Sequence, residues 1–451
     1  MNIVTLLACC STLMTPPVRR QLAVIAEAML TMTGRMTMLS VSRWTAKGGS
    51  YRTINRFFAS KLAWPEVMTK FFQTHLFNPE HEYLMAGDET VIGKAGTETF
   101  GLDRFFSGLK NQVISGLSFF VLSLIDVQRR KSYPLLINQI LRSEAEKAAL
   151  KERKLEAARK KREPQKNSGQ RRGRKPGSRN KNKQELNLSP ELVRIDSAVA
   201  ILLKLVRVFV KVKYLVMDGH FGHQQAVLMA DQNDLHLISK LRQDAALYEK
   251  YKGVYSGQGA PTKYGEKVNY EKLPVEYLKK SMSQAEVVTN YYQGIFLSKS
   301  FGCALNVVII EKINLKREKV GHVILFTCDT ELSWEKVVEY YSLRFQIEFN
   351  FRDAKQHFGL EDFMNQRERG VENASNLAFL MVNVSAQLMK EGEARWVGIN
   401  DLKSQYRGIK YAIETIKLIA PKAEPILIER VKQAISRIGN IHQTKIIPSS
   451  P

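Results

Sequence analysis

Tyr341, Arg344, Glu348 and Lys355 set a phenol, a carboxylate and two cations at helical spacing. At ~100° of rotation per residue, Arg344, Glu348 and Lys355 lie near ~300°, ~340° and ~320° from Tyr341, and Arg352 joins them near ~20°. One basic helix would carry all five on one edge. Leu343, Ile347, Phe351, Ala354 and Phe358 fall between ~200° and ~280°, an apolar stripe that docks the helix on a core. Glu348 then faces something that tolerates cations on either side. A phosphodiester with a bound metal ion has that character; taken alone, a surface helix laced with i,i+4 charges shows the same pattern.

Two further carboxylates favour the chemical reading. Asp88 interrupts the apolar run Tyr83–Ile92, and Asp218 ends the run Lys213–Met217. Short hydrophobic runs flanked by Gly read as buried strands of an α/β sheet. A carboxylate at such a strand is costly unless paired or holding a cation. Asp88, Asp218 and Glu348 together supply hard oxygen ligands suited to Mg²⁺. His220 and His223 beside Asp218 are poor Mg²⁺ ligands and read as structural or DNA-backbone contacts.

The elements that must position these groups follow from periodicity. Residues 1–78 read as all-helical: a helix opening at Val18 with Leu22, Ile25 and Met29 inward, a short one over Thr37–Trp44, then a glycine turn. Ser50 caps the next helix, with Ile54, Phe57 and Phe58 inward and Tyr51, Arg52, Asn55 and Arg56 outward. That outline fits a helix-turn-helix DNA reader, with Arg52, Asn55 and Arg56 as the reading face; other small helical bundles share it. Residues 79–143 form the first part of the core, with Ser118–Ile125 and Ser132–Ile137 antiparallel across a charged turn. Residues 144–190 are a basic linker insertion, helical at first. Residues 191–243 supply a helix over Ser197–Val210, the Asp218 strand, a helix over Gln224–Asn233 and the strand Leu235–Leu241. Residues 244–333 turn to β, residues 334–370 hold the Glu helix, and residues 371–451 are helical, a candidate for dimerisation. The expected fold is α/β, an RNase H-like catalytic core with a β-rich insertion before the Glu helix and helical regions at both ends.

The stretch from about 80 to 380 resembles the DDE transposases of bacterial insertion sequences, in the family marked by a Tyr-Arg-Glu-Lys signature (the insertion sequence 4 family). Tyr341, Arg344, Glu348 and Lys355 match the signature's spacing. Met217–Gly222 and His236–Arg242 look like the family's second-Asp strand and the strand after it. Asp88-Glu-Thr, Lys94 and Ser107–Val113 look like its first-Asp region. The resemblance implies that Tyr341, Arg344 and Lys355 contact phosphates of the element end. It assigns terminal-repeat recognition to the N-terminal region. It also implies cut-and-paste transposition, which several family members perform through a DNA hairpin.

Composition agrees. The chain has 451 residues, a net charge of +24 and a pI near 9.7, which predicts an anionic polymer as partner. Residues 151–183 hold 15 Lys and Arg against 3 Glu, half of the excess charge. Within them Arg171, Arg172, Arg174 and Lys175 read as a sequence-blind phosphate-binding loop, with insertion into a DNA groove as the alternative. Cys9, Cys10, Cys303 and Cys328 show neither metal-site nor disulfide spacing, which suits a reducing cytoplasm. Leu6–Cys9 loosely imitates a lipoprotein cleavage box. The apolar stretch is short and no cation precedes it, so it reads as ordinary structure. No run approaches the ~18 apolar residues of a membrane helix.

The expected activity is Mg²⁺-dependent cutting of double-stranded DNA at element ends and joining to target DNA. Two ions about 3.5–4 Å apart would be held by Asp88, Asp218 and Glu348, with Mn²⁺ able to substitute. Arg344 can fork onto a phosphate, and Lys355 offers a point charge. Holding two ends together implies a homodimer on DNA, in the bacterial cytoplasm and associated with the nucleoid. Two alternatives share these residues: a site- or structure-specific nuclease on the same fold, and a catalytically silent DNA-binding regulator.

Overall fold

A computed structural model describes residues 3–45, 48–162, 188–255, 257, 261–391, 398–419 and 424–435. Helices α1 (Ile3–Leu6), α2 (Pro16–Thr31), α3 (Met38–Trp44), α4 (Tyr51–Ala59) and α5 (Trp64–Phe71) come first. Thr37 Oγ1 accepts from Ser40 N–H at 3.2 Å and caps α3, and Ser50 Oγ accepts from Thr53 N–H at 3.4 Å, so α4 starts at the expected cap. Leu22, Ile25 and Met29 of α2 and Ile54, Phe57 and Phe58 of α4 are buried, as their spacing requires.

Strands β1 (Tyr83–Gly93), β2 (Asp103–Ser107), β3 (Gln112–Asp126) and β4 (Lys131–Gln139) follow, then α6 (Glu144–Arg162) and α7 (Pro190–Val206). The expected helix over Ser197–Val210 therefore begins and ends earlier. Ser189 Oγ accepts from Leu192 N–H at 3.2 Å and Pro190 opens the first turn, a start signal that outweighs the later apolar periodicity. Next come β5 (Val212–Val216), α8 (Gln224–Gln232), β6 (His236–Leu241), β7 (Tyr248–Lys250) and β8 (Tyr264–Lys267). Strands β9 (Leu278–Gln284), β10 (Val287–Leu297), β11 (Ala304–Asn314) and β12 (Lys319–Thr327) lead to α9 (Trp334–Leu343) and α10 (Gln346–His357). Helices α11 (Glu368–Glu391), α12 (Ile399–Ile419) and α13 (Pro425–Ile435) close the described chain.

The strand order β4-β3-β1-β5-β6, with β3 antiparallel to β1 and β5 and β6 parallel to it, fits an RNase H-like core. The β-rich stretch before α9 does not form a sheet of its own. Its strand β12 pairs antiparallel with β6, Thr327 opposite Ile238, and continues the core sheet through β11 and β10.

Side chains alternate across a strand. Leu84 and Ala86 of β1 and Tyr214 and Val216 of β5 pack with Val337, Tyr340 and Leu343 of α9 in one apolar layer. Met85, Leu215 and the inward faces of α2, α4, α5, α7 and α11 share the larger core on the opposite side. The N-terminal helices are tied into that core by Trp64 Nε1–H, which donates to Asn373 Oδ1 of α11 at 2.7 Å. Among the described residues no helix is long and apolar enough to cross a membrane.

Candidate active site

Asp88 and Asp218 are brought together by strand register. Ala86 of β1 is paired with Val216 of β5 in a parallel ladder, and each aspartate lies two residues further on. Their even positions put both side chains on the face covered by α9. Asp88 sits within β1, still opposite Val121 of β3, at the point where pairing to β5 has ended. Asp218 Oδ1 accepts from His220 N–H at 3.1 Å, and Ser239 Oγ–H donates to the Asp218 carbonyl at 2.6 Å, so β6 holds the turn that carries it.

Glu348 arrives by a route that differs from the sequence expectation. Tyr341–Lys355 is not one helix: α9 ends at Leu343 and α10 begins at Gln346. The dihedrals at Arg344 and Phe345 stay helical, but the bonds tighten to three-residue steps, Phe345 N–H to Ser342 O at 3.2 Å and Glu348 N–H to Phe345 O at 3.1 Å. Each such residue turns about 120° instead of ~100°, so the phase of Glu348 relative to Tyr341 changes. Leu343, Ile347, Phe351, Ala354 and Phe358 are nonetheless all buried, as the stripe required.

Arg344, at this junction, bridges two of the acids. One guanidinium nitrogen lies 2.7 Å from Asp88 Oδ2 and the other 3.4 Å from Glu348 Oε1. Its Nε is buried with no hydrogen-bond partner among the described residues. Desolvation raises the Asp88 carboxyl above the usual range. Arg344 opposes that shift, while Asp218 and Glu348 reinforce it, so both other acids act on Asp88. Desolvation also raises the Tyr341 phenol, Arg344 opposing and Asp218 and Asp88 reinforcing, which locates Tyr341 at the same cluster.

Other anticipated groups are elsewhere engaged. Lys355 Nζ donates to the Val91 carbonyl at 2.9 Å, clamping α10 to β1. Arg352 is exposed, pairs with Asp353 at 2.9 Å and stacks over Phe349. Arg52, Asn55 and Arg56 are exposed along α4, which packs on α2, α3 and α11, away from the acids. Arg171, Arg172, Arg174 and Lys175 lie outside the described residues.

Two groups near the acids had no assigned role in the sequence reading. Desolvation, then the neighbouring Glu191 and Asp88, push the Glu89 carboxyl up to about 7. Glu191 Oε2 lies 3.2 Å from His220 Nε2. Glu89 follows Asp88 directly, so its identity was legible; that α7 would bring Glu191 to it was not. Lys94 bonds the carbonyls of Glu361 and Phe363 at 3.1 and 2.7 Å, fastening the end of β1 to the loop after α10.

The donor set suits a divalent cation: three carboxylates, all hard oxygen donors, on two neighbouring strands and a helix. Among the described residues, however, no three Asp, Glu, His or Cys side chains stand close enough to share one ion. The Arg344 bridge supplies the positive charge in this arrangement.

Comparison with known proteins gives the lineage. Residues 10–293 match the profile of a family described as a DDE superfamily endonuclease. That span contains Asp88 and Asp218 and stops short of Glu348. No curated protein matches the chain by sequence. Among solved structures, one of a piggyBac transposase synaptic complex with hairpin DNA aligns with a TM-score of 0.37 at 12% identity, over 95% of this chain and 76% of that one. With the profile covering more than half of its length and containing both aspartates, the chain belongs to the DDE superfamily of endonucleases.

Proposed function

We propose that this protein is a DNA transposase of the Tyr-Arg-Glu-Lys kind, cutting at the ends of an insertion sequence and joining them to target DNA by cut-and-paste transfer. The observation that carries this reading is the Arg344 bridge between Asp88 and Glu348, with Asp218, beyond the neighbouring strand, acting on Asp88. Asp88, Asp218 and Glu348 would hold divalent metal, Mg²⁺ with Mn²⁺ able to substitute. Bound there, the metal would supply Lewis-acid stabilisation of charge at phosphorus and a more acidic water or 3′-hydroxyl.

The chain's own residues do the rest. Arg344, freed from Asp88 or Glu348, has a planar fork that matches a phosphate, and its buried Nε lacks an acceptor until one arrives. Tyr341 keeps its proton, since desolvation raises it, and so remains a hydrogen-bond donor to a phosphate oxygen. Lys355 serves as a clamp for α10 and, from its partly exposed position, as a cation beside the strand path. The exposed Arg52, Asn55 and Arg56 form a reading face for the element's terminal repeats, and the basic stretch 151–183 holds DNA without regard to sequence. Two copies on DNA would hold the two ends.

The test is incubation of the purified protein with labelled duplexes carrying the element's flanking repeats and a supercoiled target, with Mg²⁺ or with EDTA. Metal-dependent joining of the labelled end to the target is expected. Cleavage with no joined product would replace transposition by hydrolysis on the same fold, and end-specific binding alone would make the protein a regulator.

A further inference from the structure

A cleft of about 370 Å³ lies at the far end of α10 from Glu348, lined by Gly34, His357, Asp362, Asn400, Lys403 and Arg407 among others. Lys403 is only 8% exposed, yet it carries an ammonium. One of its donors goes to the His357 carbonyl at 2.9 Å, which closes the C-terminal end of α10. An ammonium has three donors; one is taken by His357, and the ammonium also stands 5.8 Å from the centroid of the Phe358 ring. The nearby carboxylate, Asp362, is already engaged: it accepts from Met36 N–H at 3.1 Å and lies 3.6 Å from Arg35. Arg407, anchored by Nε to the Thr31 carbonyl at 3.1 Å, adds a second cation. Desolvation pulls Lys403 down to about 8, and Arg407 adds to the shift. Asn400 stands in the first turn of α12, where the helix dipole is positive. Two crowded cations with one shared, already paired acid leave a polar space that lacks an anion.

Helix α10 relates this space to the acids. Glu348 and His357 are nine residues apart, or ~13.5 Å along the axis. That is roughly four base steps of duplex at ~3.4 Å each. We infer that the cleft formed by His357, Asn400, Lys403 and Arg407 is a phosphate-binding site that takes a backbone phosphate of DNA a few base pairs from the position cut at Asp88, Asp218 and Glu348. The DNA half of this inference rests on the transposase reading; the phosphate half rests on the cleft alone. A lysine that served only to cap α10 would give no response to added phosphate.

Two variants of the full chain separate these cases. Lys403→Met removes the charge and keeps the apolar stem. Asn400→Asp adds a negative charge to the cleft at a helix position that favours one, so it preserves folding even if Lys403→Met does not. DNA affinity is measured by fluorescence anisotropy across a salt series, and melting temperature in sodium phosphate against sodium chloride at matched ionic strength. Each variant is expected to lower the slope of log K against log salt by about 0.9, the loss of one phosphate contact. Phosphate should also raise the melting temperature of the wild type and not that of the variants. Variants that melt like the wild type and keep both its slope and its phosphate response would overturn the site. A lost phosphate response with an unchanged slope would sustain a phosphate site filled by free phosphate and overturn its assignment to DNA. A wild type that responds to phosphate but neither binds nor cuts DNA would count against the transposase reading and leave the phosphate site standing.

Discussion

The Arg344 guanidinium and the Asp88 carboxylate stand 2.7 Å apart, joining segments 256 residues apart in sequence. The same guanidinium reaches Glu348, so one cation faces two of the three acids. The pair is half-buried, and removing its cation leaves Asp88 and Glu348 facing each other without compensation. Arg344→Ala should cost about 1–2 kcal/mol of stability without metal, a value discounted for solvent screening. Mg²⁺ should then raise the melting temperature of the variant more than that of the wild type. Equal melting of the two proteins in EDTA would show that the bridge carries no energy.

Gly222 ends the turn that begins at Asp218, and a Cβ there would lie 2.3 Å from the Lys240 carbonyl oxygen. A backbone atom of a paired strand cannot yield cheaply, so Gly222→Ala should shift the turn and with it Asp218. The expected outcome is a loss of at least about tenfold in DNA cleavage, a cost of ~1.4 kcal/mol or more in the transition state. DNA binding should be unchanged. Wild-type cleavage by this variant would mean that the Asp218 turn tolerates displacement.

Lys403 gives a pH signature. Its folded pKa of about 8 lies below the ~10.4 of an unfolded lysine. Between those values the unfolded chain binds a proton that the folded chain does not, so stability rises with pH across that window. Relative to Lys403→Met, the wild type should recover about 2.5 kcal/mol from pH 8 to pH 10.5. Chemical denaturation of both proteins along a pH series measures this. Parallel curves would show that Lys403 titrates normally.

Residues 151–183 carry half of the excess charge, and their role is accessible to deletion. Shortening the segment should flatten the salt dependence of DNA binding by several units of slope, at ~0.9 per lost phosphate contact. Cleavage at saturating DNA should persist. An unchanged slope would mean that the segment does not engage phosphate.

Much of the positioning framework was legible because local rules and tertiary packing agree there. The buried faces of α2 and α4, the cap of α4 at Ser50, and the β3–β4 hairpin all follow from spacing and turn residues. That Asp88 and Asp218 each mark an apolar strand run was legible for the same reason. The break between α9 and α10 was not. No Gly or Pro stands in Ser342–Gln346, and the dihedrals at the junction remain helical; only the hydrogen bonds shorten their step. The pairing of β12 with β6 was equally hidden, since nothing local to Thr327 specifies Ile238 as its partner. Arg344 was expected to face phosphate, and its bridging of Asp88 and Glu348 depends on long-range packing that spacing cannot reveal.

The most direct measurement of the central claim is DNA cleavage by Asp88→Asn, Asp218→Asn and Glu348→Gln, each beside the wild type, in Mg²⁺ with binding measured in parallel. If the three carboxylates act as one centre, each substitution abolishes cleavage and joining, and each leaves DNA affinity close to that of the wild type. Cleavage by the Glu348→Gln variant at a rate comparable to the wild type would contradict the assignment of the third acid and the account built on it.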